Sequence, residues 1–402
     1  MPGISIVIVS LVTLMVVVHR FSLAAETSRK AIHVGMGVIC LAFPWLFSNS
    51  RSVDLLAVLA VTTLLVIRWR KPALGDVLHR IERLSIGELL FPIGVAIVFR
   101  LSDGDPRTYL PSIAILTFAD TAGAIVGRRF GKTLYRTNAG QKSVEGSLAV
   151  FLVSFLIVIV SGISSDPLTD FLIAVVVSLV ATMAEGILGA GTDNLVLPIA
   201  VFALIFILQN HIWPDLLARI ALIAGTGLFL FCVRKLTSLN GGGLLSATVF
   251  AYLSFALGGP RFLIAPCLLF IIHLATTYRF QELSQMEHSA DSISAVAIPG
   301  LIWVTLGVTT NIPHQQCYHG FCLTMMAQAC FLHSATRKFL GKQSGVLVGA
   351  IKVLAVGAAC DLWWFAGVAA IVLIPVIPIS GNLTRPSQAI LAFLFSLIAL
   401  IL

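Results

Sequence analysis

Residues 118–147 read FADTAGAIVGRRFGKTLYRTNAGQKSVEGS, and this stretch decides how the rest of the chain is read. Between Asp120 and Gly146, 27 positions hold two carboxylates (Asp120, Glu145), five basic residues (Arg128, Arg129, Lys132, Arg136, Lys142) and five glycines. The flanking sequence is apolar, and a charge inside hydrocarbon costs roughly 2.5–3.5 kcal/mol on insertion scales, so such a cluster marks a working site or a membrane boundary.

The 402 residues are 58% hydrophobic and only 11% charged, with a mean hydropathy of +1.00, which excludes a soluble domain. The expected fold is all-α, a polytopic transmembrane helical bundle of about 14–16 spans in two halves. Apolar runs recur at about 3–18, 33–48, 53–67, 86–101, 108–127, 147–163, 169–188, 195–208, 214–233, 243–257, 260–277, 293–309, 318–335, 343–359, 361–379 and 388–402. The first lacks a basic n-region and a small-residue cleavage site, and is read as a retained span. The short 195–208 run is expected to be re-entrant or broken within the bundle.

Numbering these runs in order puts 20 of the 26 Lys and Arg in odd-to-even connections, leaving Arg51, Arg100, Arg107, Arg219, Arg261 and Lys352 elsewhere. Because cytoplasmic loops keep positive charge, the N-terminus is expected outside and the cluster after Asp120 inside. The net charge of +8 is then a matter of topology and calls for no nucleic-acid partner.

GRRFGKT at Gly127–Thr133 fails the P-loop pattern because position 126 is Val. Its ingredients are those of a phosphate site all the same: glycines admit backbone N–H groups to an anion, and Lys and Arg add charge-assisted bonds. A basic loop that only sets topology has no need of Asp120 or Glu145, whereas magnesium wants one or two carboxylates plus phosphate oxygens. Further polar islands share the face: Glu185, Asp193 and Asn194 in AEGILGAGTDNLVLP, Arg29, Lys30 and His33 in SRKAIH, and Glu88 in GELLFP. Arg29, Lys30, His33 and Glu88 are candidate contacts to substrate or phosphate, with helix capping or snorkelling as the competing reading.

The seven cysteines fall mostly within spans and give no disulfide framework. His314, Cys317, His319 and Cys322 crowd a predicted external loop, NIPHQQCYHGFC, with metal binding or a disulfide as the two readings open to them, although the spacing fits no usual zinc site. Asn382-Leu383-Thr384 matches a glycosylation sequon on the side predicted to be inside.

The succession SRKAIH, GELLFP, FADTAGAIVGRRFGK, QKSVEG and EGILGAGTDNLVLP resembles the CTP-dependent prenol kinases, which include phytol and dolichol kinases, over about residues 26–205. The resemblance implies an integral-membrane enzyme that transfers the γ-phosphoryl of CTP to an isoprenoid alcohol at the cytoplasmic face with Mg2+. It implies Asp120 and Asp193 as magnesium ligands and Arg128, Lys132 and Lys142 on the triphosphate. Gly127, Gly131, Ser143, Gly146 and Asn194 complete the nucleotide site, with Glu145 holding the loop or the metal and Glu185 or Asp193 taking the alcohol proton. Phosphatidate cytidylyltransferase shares part of the pattern, and a transporter is the competing class, since many spans with intramembrane carboxylates also describe carriers.

The expected division is a catalytic domain at 1–210 and a second membrane domain at 211–402. The later run LTSLNGGGLLSATVFAYLSFALGG resembles a membrane family that includes phytyl-phosphate kinases, but MMAQACFLHSATRKFLGK lacks the Asp and Glu which that family carries. The second half is therefore expected to be a catalytically degenerate partner.

Overall fold

Helix caps and apolar length dictate the elements of this computed structural model, which describes residues 2–21, 25–70, 86–138, 140–277, 288–340, 351–358 and 384–400. The chain divides into two compact units, Met1–Ile220 and Ala221–Leu402.

The first unit opens with α1 (Pro2–Arg20), α2 (Ala25–Leu41), the one-turn α3 (Phe43–Leu46) and α4 (Ser50–Arg70). Next come α5 (Gly87–Leu101) and α6 (Pro106–Ala114), where Asp105 caps α6 by accepting from the Arg107 amide while Pro106 takes the first turn. A single π-turn, Ile115–Ala119, runs into α7 (Asp120–Phe130), so 106–130 is one continuous rod of about 37 Å. Strands β1 (Leu134–Thr137) and β2 (Gly140–Ser143) follow, then α8 (Val144–Ser161), α9 (Pro167–Ile187) and α10 (Asp193–Leu208). Ser143 and Asp166 cap α8 and α9, and Gly162 ends α8 in the left-handed region at φ 57°.

Packing in this unit pairs α8 with α7 and α9, and α5 with α4 and α10. Tyr109, Phe99, Ile113, Leu116 and Val176 are buried at its centre, where the Tyr109 hydroxyl donates to the Cys40 carbonyl at 3.0 Å. The outside is apolar too. Leu148, Leu152, Leu156 and Val160 form an i, i+4 stripe along α8 with Val160 85% exposed, a face that suits acyl chains and not water.

Helix α11 (Trp213–Cys232) carries the chain across the division point. The second unit continues with α12 (Gly241–Gly258), α13 (Ile264–Thr277), α14 (Ala290–Thr309), α15 (His314–Leu340), a helical piece at 351–358 and α16 (Arg385–Ser396). Its core is the cluster of Phe262, Trp303, Phe321, Met325 and Met326. Trp303 donates from Nε1 to Ser396 Oγ at 2.6 Å, and Gly320 leaves room for the indole, since a Cβ there would stand 2.3 Å from it.

Eight helices among the described residues are long and apolar enough to cross a membrane, and 193–208, 260–275 and 385–400 are shorter apolar helices. The protein is an all-α polytopic membrane bundle. Two of the expected runs differ in detail: the 33–48 run is divided between α2 and α3 with the break at Ala42, and 86–101 is a 15-residue helix with Pro92 inside. Most of the 343–359 run, the whole of 361–379 and the sequon residues Asn382 and Leu383 lie outside the described residues. The external loop expected at NIPHQQCYHGFC is corrected: α15 starts at His314, and Cys317 and Cys322 are buried in the core as free thiols. Apolar residues on all sides of that helix, among them Phe321, Leu323, Met325 and Met326, carry it into the core.

Candidate active site at the π-turn and hairpin

Lys30, His33 and Gly37 recur at three and four residues along α2 and so share one face. That face packs on the π-turn. A Cβ at Gly37 would stand 2.1 Å from Thr117 Oγ1, so only glycine permits this approach. Lys30 Nζ then lies 2.8 Å from Asp120 Oδ2, and His33 Nε2 lies 3.2 Å from the Leu116 carbonyl and 3.9 Å from Asp120 Oδ2. The Phe91 ring meets the His33 imidazole edge-on at 5.4 Å. Such turns widen a helix by one residue and occur often at functional sites; here the turn ends at the buried Asp120.

The basic loop is a β-hairpin. Tyr135 pairs with Lys142 and Thr137 with Gly140, whose φ of 112° requires glycine at the turn. Its base is tied three times: the Thr133 amide donates to both Glu145 carboxylate oxygens at 3.1 and 3.3 Å, Ser143 Oγ accepts from the Gly146 amide at 3.1 Å, and Tyr135 Oη meets Ser147 Oγ at 2.7 Å. Burial pushes the Tyr135 phenol above its ordinary range, so it stays a neutral hydroxyl. Gly127, Gly131 and Gly146 close the seam between α7 and α8: a Cβ at Gly131 would fall 2.7 Å from Oγ of Ser143, the α8 cap, and one at Gly146 2.9 Å from the Gly123 carbonyl. These glycines, expected to cradle phosphate, have a packing reason to be there.

Lys142 at the end of β2 reaches α9, where Nζ lies 2.7 Å from Glu185 Oε1 and also donates to the Glu185 carbonyl. The turn after α9 holds Ala190 at φ 56°, an uncommon conformation for a residue with a Cβ, and leads into Asp193 in the first turn of α10. Asn194 Nδ2 donates to the Gly87 carbonyl at 2.9 Å, joining α10 to α5, and Gly94 accommodates the Asn194 carbonyl. Asn194 is thus a brace between helices.

Asp193 is within electrostatic range of Asp120, Lys142 and Lys30, and Glu185 of Asp120 and Asp193. Six groups from five segments therefore converge: Lys30, His33, Asp120, Lys142, Glu185 and Asp193. Two ammonium groups balance two of the three carboxylates, and Asp193 has no ion pair among the described residues. The remaining expected residues lie around this centre. Arg29, Arg128 and Lys132 are exposed, Arg128 Nε donating to the Ala124 carbonyl, and Glu88 sits in the first turn of α5. Glu145, expected to hold either the loop or the metal, is committed to the backbone of the loop.

Among the described residues no three His, Cys, Asp or Glu side chains enclose a cation by themselves. Oxygen ligands that must be completed by a substrate suit magnesium, which retains water and binds through one or two carboxylates plus phosphate. Sequence reasoning had Lys30, Asp120, Lys142 and Glu185 but not their pairing; the i, i+3, i+7 stripe of Lys30, His33 and Gly37 was the available signal.

No family model and no solved structure matches the chain. It is 30% identical over 200 residues to the phytol kinase of Synechocystis sp. (strain ATCC 27184 / PCC 6803 / Kazusa), an alignment that takes in 48% of this chain and 84% of that protein. With that much of the relative matched, this chain belongs to the phytol kinase family.

Proposed function

We propose that the protein is a membrane prenol kinase that moves the γ-phosphoryl group of CTP to the hydroxyl of an isoprenoid alcohol such as phytol or a polyprenol. The observation that carries this reading is the convergence of two lysine–carboxylate pairs and Asp193 within an apolar bundle. Phosphoryl transfer asks a protein chiefly for positioning and for charge around the phosphates. The 30% identity to a protein named phytol kinase supports the alcohol and kinase parts; CTP rests on the motif resemblance.

In this reading Lys30, Lys142 and the exposed Arg128 and Lys132 draw the triphosphate in, and Asp120 and Asp193 hold Mg2+. Such an ion, held by these two carboxylates, would supply charge screening on the transferring group. The alcohol oxygen forms a bond to the γ-phosphorus while the bond to the β-bridging oxygen breaks, and its electron pair leaves with CDP. Glu185 or Asp193 takes the hydroxyl proton. The basic hairpin faces the cytoplasm and the N-terminus the other side, as the distribution of Lys and Arg argues.

The test is product analysis of the purified protein in nanodiscs with CTP or ATP, Mg2+ and a panel of phytol, geranylgeraniol, farnesol, polyprenol and phosphatidate. Label from γ-labelled CTP is expected in a prenyl phosphate. Label from the α-position in lipid would instead make the protein a cytidylyltransferase, and no transfer to any alcohol ends the reading.

A further inference from the structure

We infer that the Lys30–Asp120 and Lys142–Glu185 pairs are exchange contacts, which hold the carboxylates until a metal-bound polyphosphate arrives and then hand both lysines over to phosphate oxygens. This rests on the phosphoryl-transfer reading above and adds an order of binding to it: nucleotide and metal enter together, before the site is competent.

The geometry argues for exchange. Each lysine sits in direct contact with a carboxylate, at 2.8 and 2.7 Å, with the four side chains only 12–20% exposed. A cation arriving alone must displace an ammonium from Asp120 and leave it in an apolar surround without a counter-charge, which is costly. Charge points the same way once the hairpin is counted. Lys30, Lys142, Arg128, Arg129, Lys132 and Arg136 against Asp120, Glu185, Asp193 and Glu145 leave the region at +2, so a lone dication raises it to +4. A magnesium–triphosphate complex at −2 neutralises it instead, and gives each displaced lysine an oxygen to bind. The same pairing keeps Glu185 from acting on water before the phosphate is seated, because its carboxylate oxygen is held by Lys142.

Removing Lys30 therefore frees Asp120 for metal. The experiment titrates Mg2+ and, separately, Mn2+ without nucleotide against the full chain in nanodiscs and follows thermal unfolding. Wild type is expected to respond weakly. Lys30→Gln removes the competing charge, and its metal midpoint should fall about tenfold, the equivalent of about 1.4 kcal/mol. Lys30→Arg keeps the charge and should match wild type, which separates competition from general damage. If Lys30→Gln is merely less stable, with the wild-type midpoint or no metal response at all, the pair is structural and the inference falls. Failure of wild type to phosphorylate any alcohol would remove the functional reading, a result the nucleotide-free titration neither requires nor produces.

Discussion

Replacing Gly37 by alanine tests how tightly the site depends on the fit of α2 against the π-turn. The added Cβ would stand 2.1 Å from Thr117 Oγ1, 2.4 Å from its Cγ2 and 2.7 Å from its Cβ. Carbon atoms in contact prefer about 3.5–4.0 Å, so α2 must retreat by about 1.5 Å or Thr117 must turn. Thr117 has little freedom, since it is fully buried and its hydroxyl donates to the Ile113 carbonyl at 2.7 Å. A retreat of that size takes Lys30 Nζ from 2.8 Å to beyond ion-pair range of Asp120. Overpacking of this kind costs about 1–3 kcal/mol. The expected result is a lower thermal midpoint for Gly37→Ala in nanodiscs and a loss of prenol phosphorylation larger than the loss of folded protein. The double variant Gly37→Ala/Thr117→Gly removes Oγ1, Cγ2 and Cβ together and should recover part of both, less the roughly 1 kcal/mol that glycine costs in a helix. Wild-type stability and activity in Gly37→Ala, or no recovery in the double variant, would refute the close-approach argument.

Other expectations follow from the same geometry. Asp120→Asn and Asp193→Asn should each lower CTP-dependent phosphorylation at least about a hundredfold while the protein still unfolds cooperatively, measured as γ-label transferred to alcohol; normal rates in both would remove these residues from the site. Lys142→Met leaves Glu185 uncompensated and should destabilise by about 2–4 kcal/mol, whereas adding Glu185→Gln should restore part of that, a cycle read by chemical denaturation. Ser143→Ala removes the cap of α8 and should cost about 1 kcal/mol, with protease cleavage appearing first in the hairpin; unchanged cleavage would show that the cap does not anchor it.

The sequence made the membrane class, most helices and the polar islands readable, because hydrocarbon tolerates few charges and each exception stands out. Asp120, Lys142, Glu185 and Asp193 were visible for that reason. Their pairing was not, since Lys30 and Asp120 are 90 positions apart and nothing local links them. The hairpin was hidden because Tyr135 and Lys142 alternate over only four residues per strand, too short for a periodic signal. Gly127, Gly131 and Gly146 invited a phosphate reading from composition, while the contacts that need them come from α7 lying against α8. At 311–322 polar residues suggested a loop, yet Cys317, Phe321 and Cys322 turn to the core and the helix that carries them begins at His314.

The π-turn at Ile115–Ala119 makes the aim of Asp120 a matter of chain length. Any residue within the turn can be exchanged for another of similar size and the carboxylate still points at Lys30. A residue gained or lost in the flanking α-helical turns would rotate Asp120 by about 100° and move it about 1.5 Å along the rod, off the shared face, whereas a wide turn such as this one takes up one extra residue without that rotation. The wide turn is thus where this rod takes up an extra residue, and the aim of the Asp120 carboxylate is set by spacing.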